Sequence, residues 1–313
     1  MVSLNKNQIF ELVSMKEAIQ TMEPAFIHLS NGKAHIPPRL NFDFPDKNAT
    51  SLIMPAYVIG NPYYCVKIVS INYSNPKKGL PLIHSVVQVF NASQGNQIAT
   101  FDGESITAIR TAAASGLATN LLARKDASIC AIFGTGVQAV SHMKAMMEVR
   151  NIEKFIIFSR DDKTAKKFCD IHHKKVECEI GSKEELKKSD IICTTTPSKI
   201  PLIEFKQIRS GCHLNVIGSH HPMKREVSSD IVIQSKIIID QLEACKKEAG
   251  DLIIPMEEGL WCFENVHGEL GMILAGEIPA RESKNEITLF KSVGNAIQDL
   301  AVVNLILKKL SND

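Results

Sequence analysis

Apolar positions follow three regimes along the chain. In the first, Ser14 and Glu17 stand as a capping box ahead of Ile19, Met22, Phe26 and Leu29, which recur at helical spacing until Gly32 ends the stretch. Strand-like segments follow around 52–57, 63–71, 82–90 and 97–101, with turn signals at Asn61-Pro62, Asn75-Pro76, Gly79 and Gly95-Asn96. Such short turns predict antiparallel pairing. A long helix is expected from Ser105 to Ala123, its middle (Ala112 to Gly116) small enough for close packing. Beyond Lys125-Asp126 the second regime begins. Short apolar strands at 128–133, 154–159, 190–194, 213–217 and 236–239 alternate with polar helical stretches, which predicts a parallel sheet covered on both faces. Residues 286–309 return to helical spacing through Ile287, Phe290, Val293, Ile297, Leu300, Val303 and Leu307.

The first strand of the alternating region runs straight into Gly134-Thr135-Gly136-Val137-Gln138-Ala139 and then into a helical pattern. This is the strand-turn-helix of a Rossmann dinucleotide-binding unit. Gly134 permits the tight turn, Gly136 lets a pyrophosphate approach the backbone, and Ala139 is small enough for the helix to lie on the sheet. The helix N-terminus offers N–H groups and a positive dipole end to the phosphates. The expected fold class is therefore α/β: a Rossmann domain with a parallel sheet, joined to an α+β domain.

Composition narrows the class. A chain of 313 residues, 44% hydrophobic and 22% charged, suits two globular domains. A formal net charge of +2 without a dense basic tract gives no nucleic-acid footprint. No apolar run approaches the roughly 20 residues of a membrane span, so no membrane partner is expected. The N-terminus lacks a basic segment leading into an apolar one, so no secretory signal is expected. The eight cysteines form no Cys-x-x-Cys and lie at no metal-ligand spacing from histidine. A reducing cytoplasm and no metal are the resulting expectations. The pairs His172-His173 and His220-His221 are expected at the surface.

The end of the second Rossmann strand discriminates between nicotinamide cofactors, because an acid there accepts from the ribose 2′-OH and repels a 2′-phosphate. Here that strand ends in Ser159-Arg160-Asp161, about 25 residues after Gly134. A hydroxyl and a guanidinium favour NADPH over NADH, while Asp161 argues the other way. In the N-terminal part three cations stand out. Arg39 follows the stiff Pro37-Pro38, Lys67 lies within an apolar strand, and Arg110 precedes the small-residue run.

The segment Glu104 to Ala114 (Glu-Ser-Ile-Thr-Ala-Ile-Arg-Thr-Ala-Ala-Ala) resembles a signature of the ornithine cyclodeaminase/mu-crystallin family. So do Gly134 to Ala139, Gly268 to Gly276 and Phe290 to Leu300, in order and across nearly the whole chain. The resemblance implies a substrate-binding and dimerisation domain from residues 1–122 plus 292–313, a Rossmann NAD(P)-binding domain from 123–291, and a homodimer. It implies that Arg39, Lys67 and Arg110 hold the carboxylate of a small imino or amino acid beside the nicotinamide. Charge-assisted hydrogen bonds of that kind contribute about 1.5–3 kcal/mol each. It also implies cofactor contacts from Arg110, Thr111, Gly134, Thr135, Gly136, Val137, Gln138, Ser159, Arg160, Thr194, Thr195, Ser219, Ser292 and Gly294, with Val293 in the same segment as the last two.

One departure from the family pattern bears on the reaction. Ornithine cyclodeaminases carry Gly-x-Asp after the fifth Rossmann strand, where this chain has Gly218-Ser219-His220. Without that carboxylate the resemblance points to reduction of a cyclic ketimine such as pyrroline-2-carboxylate or piperideine-2-carboxylate. Lys67 or a bound water would protonate the nitrogen, with His220 as an alternative general acid. An ornithine cyclodeaminase or alanine-type dehydrogenase, and a non-catalytic ligand binder like mu-crystallin, are the alternative readings.

Overall fold

Two helices, α1 (Lys6–Leu12) and α2 (Met15–Ser30), follow the first short strand in a computed structural model that describes residues 1–311. The capping box at Ser14 is present: its hydroxyl accepts from the Glu17 N–H at 3.3 Å, and the Glu17 carboxylate accepts from the Ser14 N–H at 3.2 Å. Helix α3 (Gly103–Leu122) follows the first sheet. The chain divides into two units, Met1–Arg110 together with the segment that begins at Asn295, and Thr111–Gly294.

In the first unit, seven strands form one sheet: β1 (Val2–Leu4), β2 (Ala34–His35), β3 (Leu40–Phe44), β4 (Ala49–Val58), β5 (Tyr63–Asn72), β6 (Ile83–Asn91) and β7 (Gln97–Asp102). Their order is β1-β7-β6-β5-β4-β2, with β3 also paired to β4. All pairs are antiparallel except β1 with β7. Side chains alternate across the sheet, so Met54, Cys65, Lys67, Val87, Val89, Ala99 and Phe101 are buried. The C-terminal helix (Ala296–Leu310) packs against α2, β4 and β5.

In the second unit, β8 (Ile129–Phe133), β9 (Lys154–Phe158), β10 (Glu177–Ile180), β11 (Ile191–Thr194), β12 (His213–Val216), β13 (Lys236–Ile239), β14 (Gly268–Glu269) and β15 (Thr288–Lys291) form an all-parallel sheet. The order is β10-β9-β8-β11-β12-β15-β13-β14. Its first six strands reproduce the doubly wound arrangement, with the chain reversing direction of travel between β8 and β11. Helix α4 (Val137–Val149) packs on β8, and α5 (Asp162–His172) on β9 and β10.

Two expectations need correction. The helical spacing at 286–309 predicts one helix, but Thr288–Lys291 is a fully buried central strand and the helix starts only at Ala296. A short apolar run has no period of its own, and Gly294 (φ +75°) breaks the chain between the two elements. Residues 111–122 were expected in the first domain and 292–294 with them; both group with the second unit. The reason is bonding. Ser115 meets His142 Nε2 at 2.9 Å, Thr119 Oγ1 accepts from Asn215 at 2.8 Å, and Asp240 accepts from the Ser292 hydroxyl at 2.7 Å. The edge strands β1, β2, β3, β10 and β14 were not anticipated, because short, partly polar strands carry little periodic signal.

Arg150 closes the end of α3. Its guanidinium donates to the carbonyls of Thr119 (2.9 Å), Ala123 (2.9 Å) and Arg124 (2.8 Å), adding donors where a helix C-terminus runs short of them. Arg150→Met should therefore destabilise the protein by about 3 kcal/mol, since three carbonyls lose a charge-assisted bond at once and the Ala123 carbonyl loses its donor. Urea unfolding monitored by circular dichroism measures this, and an unchanged midpoint would refute it.

Candidate active site

The cofactor-binding candidates other than Arg110 and Thr111, which lie on α3, fall at the carboxyl ends of the parallel strands in the second unit. Gly134 follows β8 at φ +114°, and a Cβ there would sit 2.5 Å from the Thr195 hydroxyl. Gly136 has ordinary φ, and a Cβ there would meet nothing within 4 Å. It is also the N-cap of α4 and has no side chain to fold over the first turn of the helix. An exposed, Cβ-free helix N-terminus of this kind fits a pyrophosphate.

At the end of β9, Ser159 is half-buried and Arg160 exposed. Asp161 is the N-cap of α5. Its carboxylate accepts from the Lys163 N–H at 3.1 Å and from the Thr164 hydroxyl at 2.9 Å, and the Thr164 bond holds its pKa below the usual range. Asp161 is thus committed to its own helix.

On the other half of the sheet the candidates behave differently. Thr195 donates its hydroxyl to the Phe133 carbonyl at 2.8 Å. Thr194, expected as a cofactor contact, is fully buried and donates its hydroxyl to Glu226 at 2.7 Å. The Ser219 hydroxyl goes to the Lys224 carbonyl (2.8 Å). Ser292 Oγ and the N–H groups of Val293 and Gly294 converge on Asp240 at 2.7, 3.1 and 2.8 Å. A buried carboxylate thus fixes the Ser292-to-Gly294 segment, while backbone carbonyls hold the hydroxyls of Thr195 and Ser219. His220 is exposed just after Ser219.

The first unit holds a cationic cluster. Lys67, at the centre of the sheet between Met54 and Val87, is 1% exposed. Its ammonium lies 2.9 and 2.8 Å from the two carboxylate oxygens of Asp299 and 3.4 Å from the Thr107 hydroxyl. Arg110 meets the same carboxylate at 3.4 Å and donates to Gln298 Oε1 at 2.5 Å. Burial brings the Lys67 pKa down to about 8; Asp299 opposes the fall, while Arg110 and Arg39 add to it. Arg39, half-buried on the segment between β2 and β3, is therefore close enough to act on Lys67. Three cations against one carboxylate leave the cluster positive, as an anion site requires.

Asp299 and Gln298 were missed by sequence reasoning. The cue was there: two polar residues on a helix whose other buried positions are apolar. Asp240 and Glu226 gave no such cue, because each lies outside any periodic element.

A glycine-capped helix N-terminus at the turn after the first strand of a doubly wound sheet defines a dinucleotide-binding protein of the Rossmann class. The profile of the ornithine cyclodeaminase/mu-crystallin family matches residues 1–313, and this chain belongs to that family. Δ1-Pyrroline-2-carboxylate reductase of Bacillus cereus is 34% identical over 314 residues, covering 99% of this chain and 96% of the relative. The solved Δ1-pyrroline-2-carboxylate reductase of Thermococcus litoralis, in complex with NADH and L-proline, is 40% identical with a TM-score of 0.94 over 100% of this chain and 98% of that one. An archaeal alanine dehydrogenase dimer with bound NAD is 32% identical with a TM-score of 0.93, over 100% and 97% of the two chains.

The two glycines of the turn should separate folding from binding. Gly136→Val adds a side chain in open space, so the melting temperature should hold while NADH affinity falls at least about tenfold. Gly134→Ala combines a positive φ with a clash and should lower the melting temperature. NADH fluorescence titration and thermal melts of both variants test the pair. Unchanged NADH affinity in Gly136→Val would remove this turn from the cofactor site.

Proposed function

We propose that this protein is an NAD(P)H-dependent reductase of a small cyclic ketimine carboxylate, of the pyrroline-2-carboxylate or piperideine-2-carboxylate type, giving proline or pipecolate. The observation that carries the reading is the Lys67–Asp299–Arg110 cluster, with Arg39 near it. It can bind a carboxylate and keeps one ammonium on the edge of titration. Full-length similarity to a pyrroline-2-carboxylate reductase supports the reading.

Arg39 and Arg110 bind and orient the substrate carboxylate. Lys67, charged through Asp299, completes the clamp and provides the proton for the imine nitrogen. Bound nicotinamide supplies the hydride that reduces the C=N carbon, so one hydride and one proton turn the imine into the amine. Gly134, Thr135, Gly136, Val137 and Gln138 hold the pyrophosphate, and Thr111, Thr195, Ser219, Ser292 and Gly294 line the rest of the dinucleotide. His220, exposed beside Ser219, replaces the aspartate that cyclodeaminases carry and leaves ammonia loss from ornithine without its carboxylate.

A homodimer is part of the proposal. Leu40 and Phe42, two residues apart on β3, are 58% and 55% exposed, and Tyr73, Leu80, Leu82 and Ile83 are also exposed in the same unit. Exposed apolar side chains in this number mark an interaction surface.

The test of the reaction is NADH and NADPH oxidation with pyrroline-2-carboxylate and piperideine-2-carboxylate, beside ornithine or alanine with NAD. Imine reduction without proline formation from ornithine is expected; robust ammonia release from ornithine, without imine reduction, would overturn the reading. The pH profile adds a sharper requirement. Lys67 is charged below about pH 8 and neutral above it, so kcat/KM should fall as pH rises through about 8. Asp299 favours the charged form, so Asp299→Asn should move that limb to lower pH as well as lower the rate. An unmoved limb would show that Lys67 is not the group titrating.

NADPH preference rests on Ser159 and Arg160, with Asp161 turned to its helix; the similar structures hold NADH and NAD. Arg160→Ala should weaken NADPH by roughly tenfold or more and NADH by much less, because only NADPH carries the 2′-phosphate. Equal losses, measured by titration with each cofactor, would refute the assignment.

A further inference from the structure

Beneath the carboxyl ends of β11, β12 and β15 lies a fully buried set of charged side chains: Glu226, Asp251 and Lys291, each 0% exposed. Glu226 accepts from four donors on two different loops. These are the Thr194 hydroxyl (2.7 Å), the Thr196 N–H (2.8 Å) and hydroxyl (2.7 Å), and the Gly218 N–H (2.7 Å). Asp251 binds the backbone that carries Glu226, accepting from the Glu226 N–H at 2.6 Å and the Val227 N–H at 3.1 Å. Its other oxygen accepts from the Lys291 ammonium at 2.7 Å, and Lys291 donates onward to the Ser219 carbonyl at 2.7 Å. A chain of charge-assisted bonds thus ties the loops after β11 and β12 to the end of β15.

A second observation is steric. A Cβ on Gly218 would overlap the Thr196 backbone and the Glu226 carboxylate, so the two loops touch at a point where only glycine fits. Glu226 is the clasp at that contact. Four donors aimed at one carboxylate favour its charged form, while burial and Asp251 push its pKa up and Lys291 and the Thr196 and Thr194 hydroxyls oppose the rise.

In a doubly wound sheet the two halves carry the two mononucleotide portions of a dinucleotide. The strands β8, β9 and β10 carry the turn at Gly134 and Ser159-Arg160, the adenylate side. The clasped loops belong to the other half. We propose that Glu226, acting through Thr194, Thr196 and Gly218, is a positioning residue that sets the affinity for the nicotinamide half of the cofactor, with Lys291 and Asp251 holding it in place. The proposal rests on the cofactor reading above. Glu226 itself touches neither solvent nor ligand.

The experiment compares NADH with ADP-ribose, which lacks the nicotinamide, by calorimetric titration of the full-length protein. Glu226→Gln keeps the shape but turns an NH₂ group toward donors, so NADH affinity should fall at least about tenfold while ADP-ribose affinity changes by less than about twofold. A role confined to stability would weaken both ligands together, and that result, or unchanged NADH affinity, would overturn the proposal. Thr194→Val removes one bond to Glu226 at a buried, isosteric position and guards against failure of the first variant to fold. It should weaken NADH about threefold and leave ADP-ribose alone, and equal effects on both would again overturn the proposal. Wild-type protein that binds neither ligand would instead overturn the cofactor reading on which the proposal depends.

Discussion

An ammonium group at the centre of a sheet is tolerated only with an anion against it, because an unpaired buried charge costs several kcal/mol. Here the ammonium is Lys67 and the anion is Asp299, which the chain delivers from its last helix, 232 residues away. That requirement explains the topology of the first unit, where the C-terminal helix returns to pack on β4 and β5. It explains the chemistry too. Asp299 offsets part of the cost of burial, so the Lys67 pKa comes to rest at about 8 rather than collapsing further. Arg110 leans on the same carboxylate, so one buried acid orients two of the three cations of the cluster.

The second unit solves the opposite problem. There the loops at the carboxyl ends of the strands need something rigid beneath them. Asp240 gathers Ser292, Val293 and Gly294, and Glu226 gathers Thr194, Thr196 and Gly218. In both places a buried carboxylate accepts from several donors, an arrangement that restricts loops more than apolar packing does. By contrast, Asp161 shows how a carboxylate in a recognisable position can be diverted: capping α5 uses both of its oxygens.

Much of this was legible in the chain. The Gly134-to-Ala139 turn, its flanking strand and helix, four of the antiparallel strands and five of the parallel ones all fall where period and turn chemistry put them, because those signals act within a few residues. Lys67 stood out as a cation in an apolar strand. Asp299 did not, since its meaning depends on a partner far away in sequence. Residues 286–295 misled because a buried strand with apolar residues three and four apart imitates a helix face.

What the sequence determined by itself was local: the alternation of strands and helices, the cofactor turn, and the set of cations available to a carboxylate. Tertiary structure decided which of those groups work together. It put β15 between β12 and β13, assigned the second half of α3 to the second unit, turned Thr194 inward to Glu226 and placed Asp299 beneath Lys67. Each of these depends on satisfying buried charges and hydrogen-bond donors with partners distant in the chain. Satisfaction of that kind is a property of the packed molecule, and no window of residues contains it.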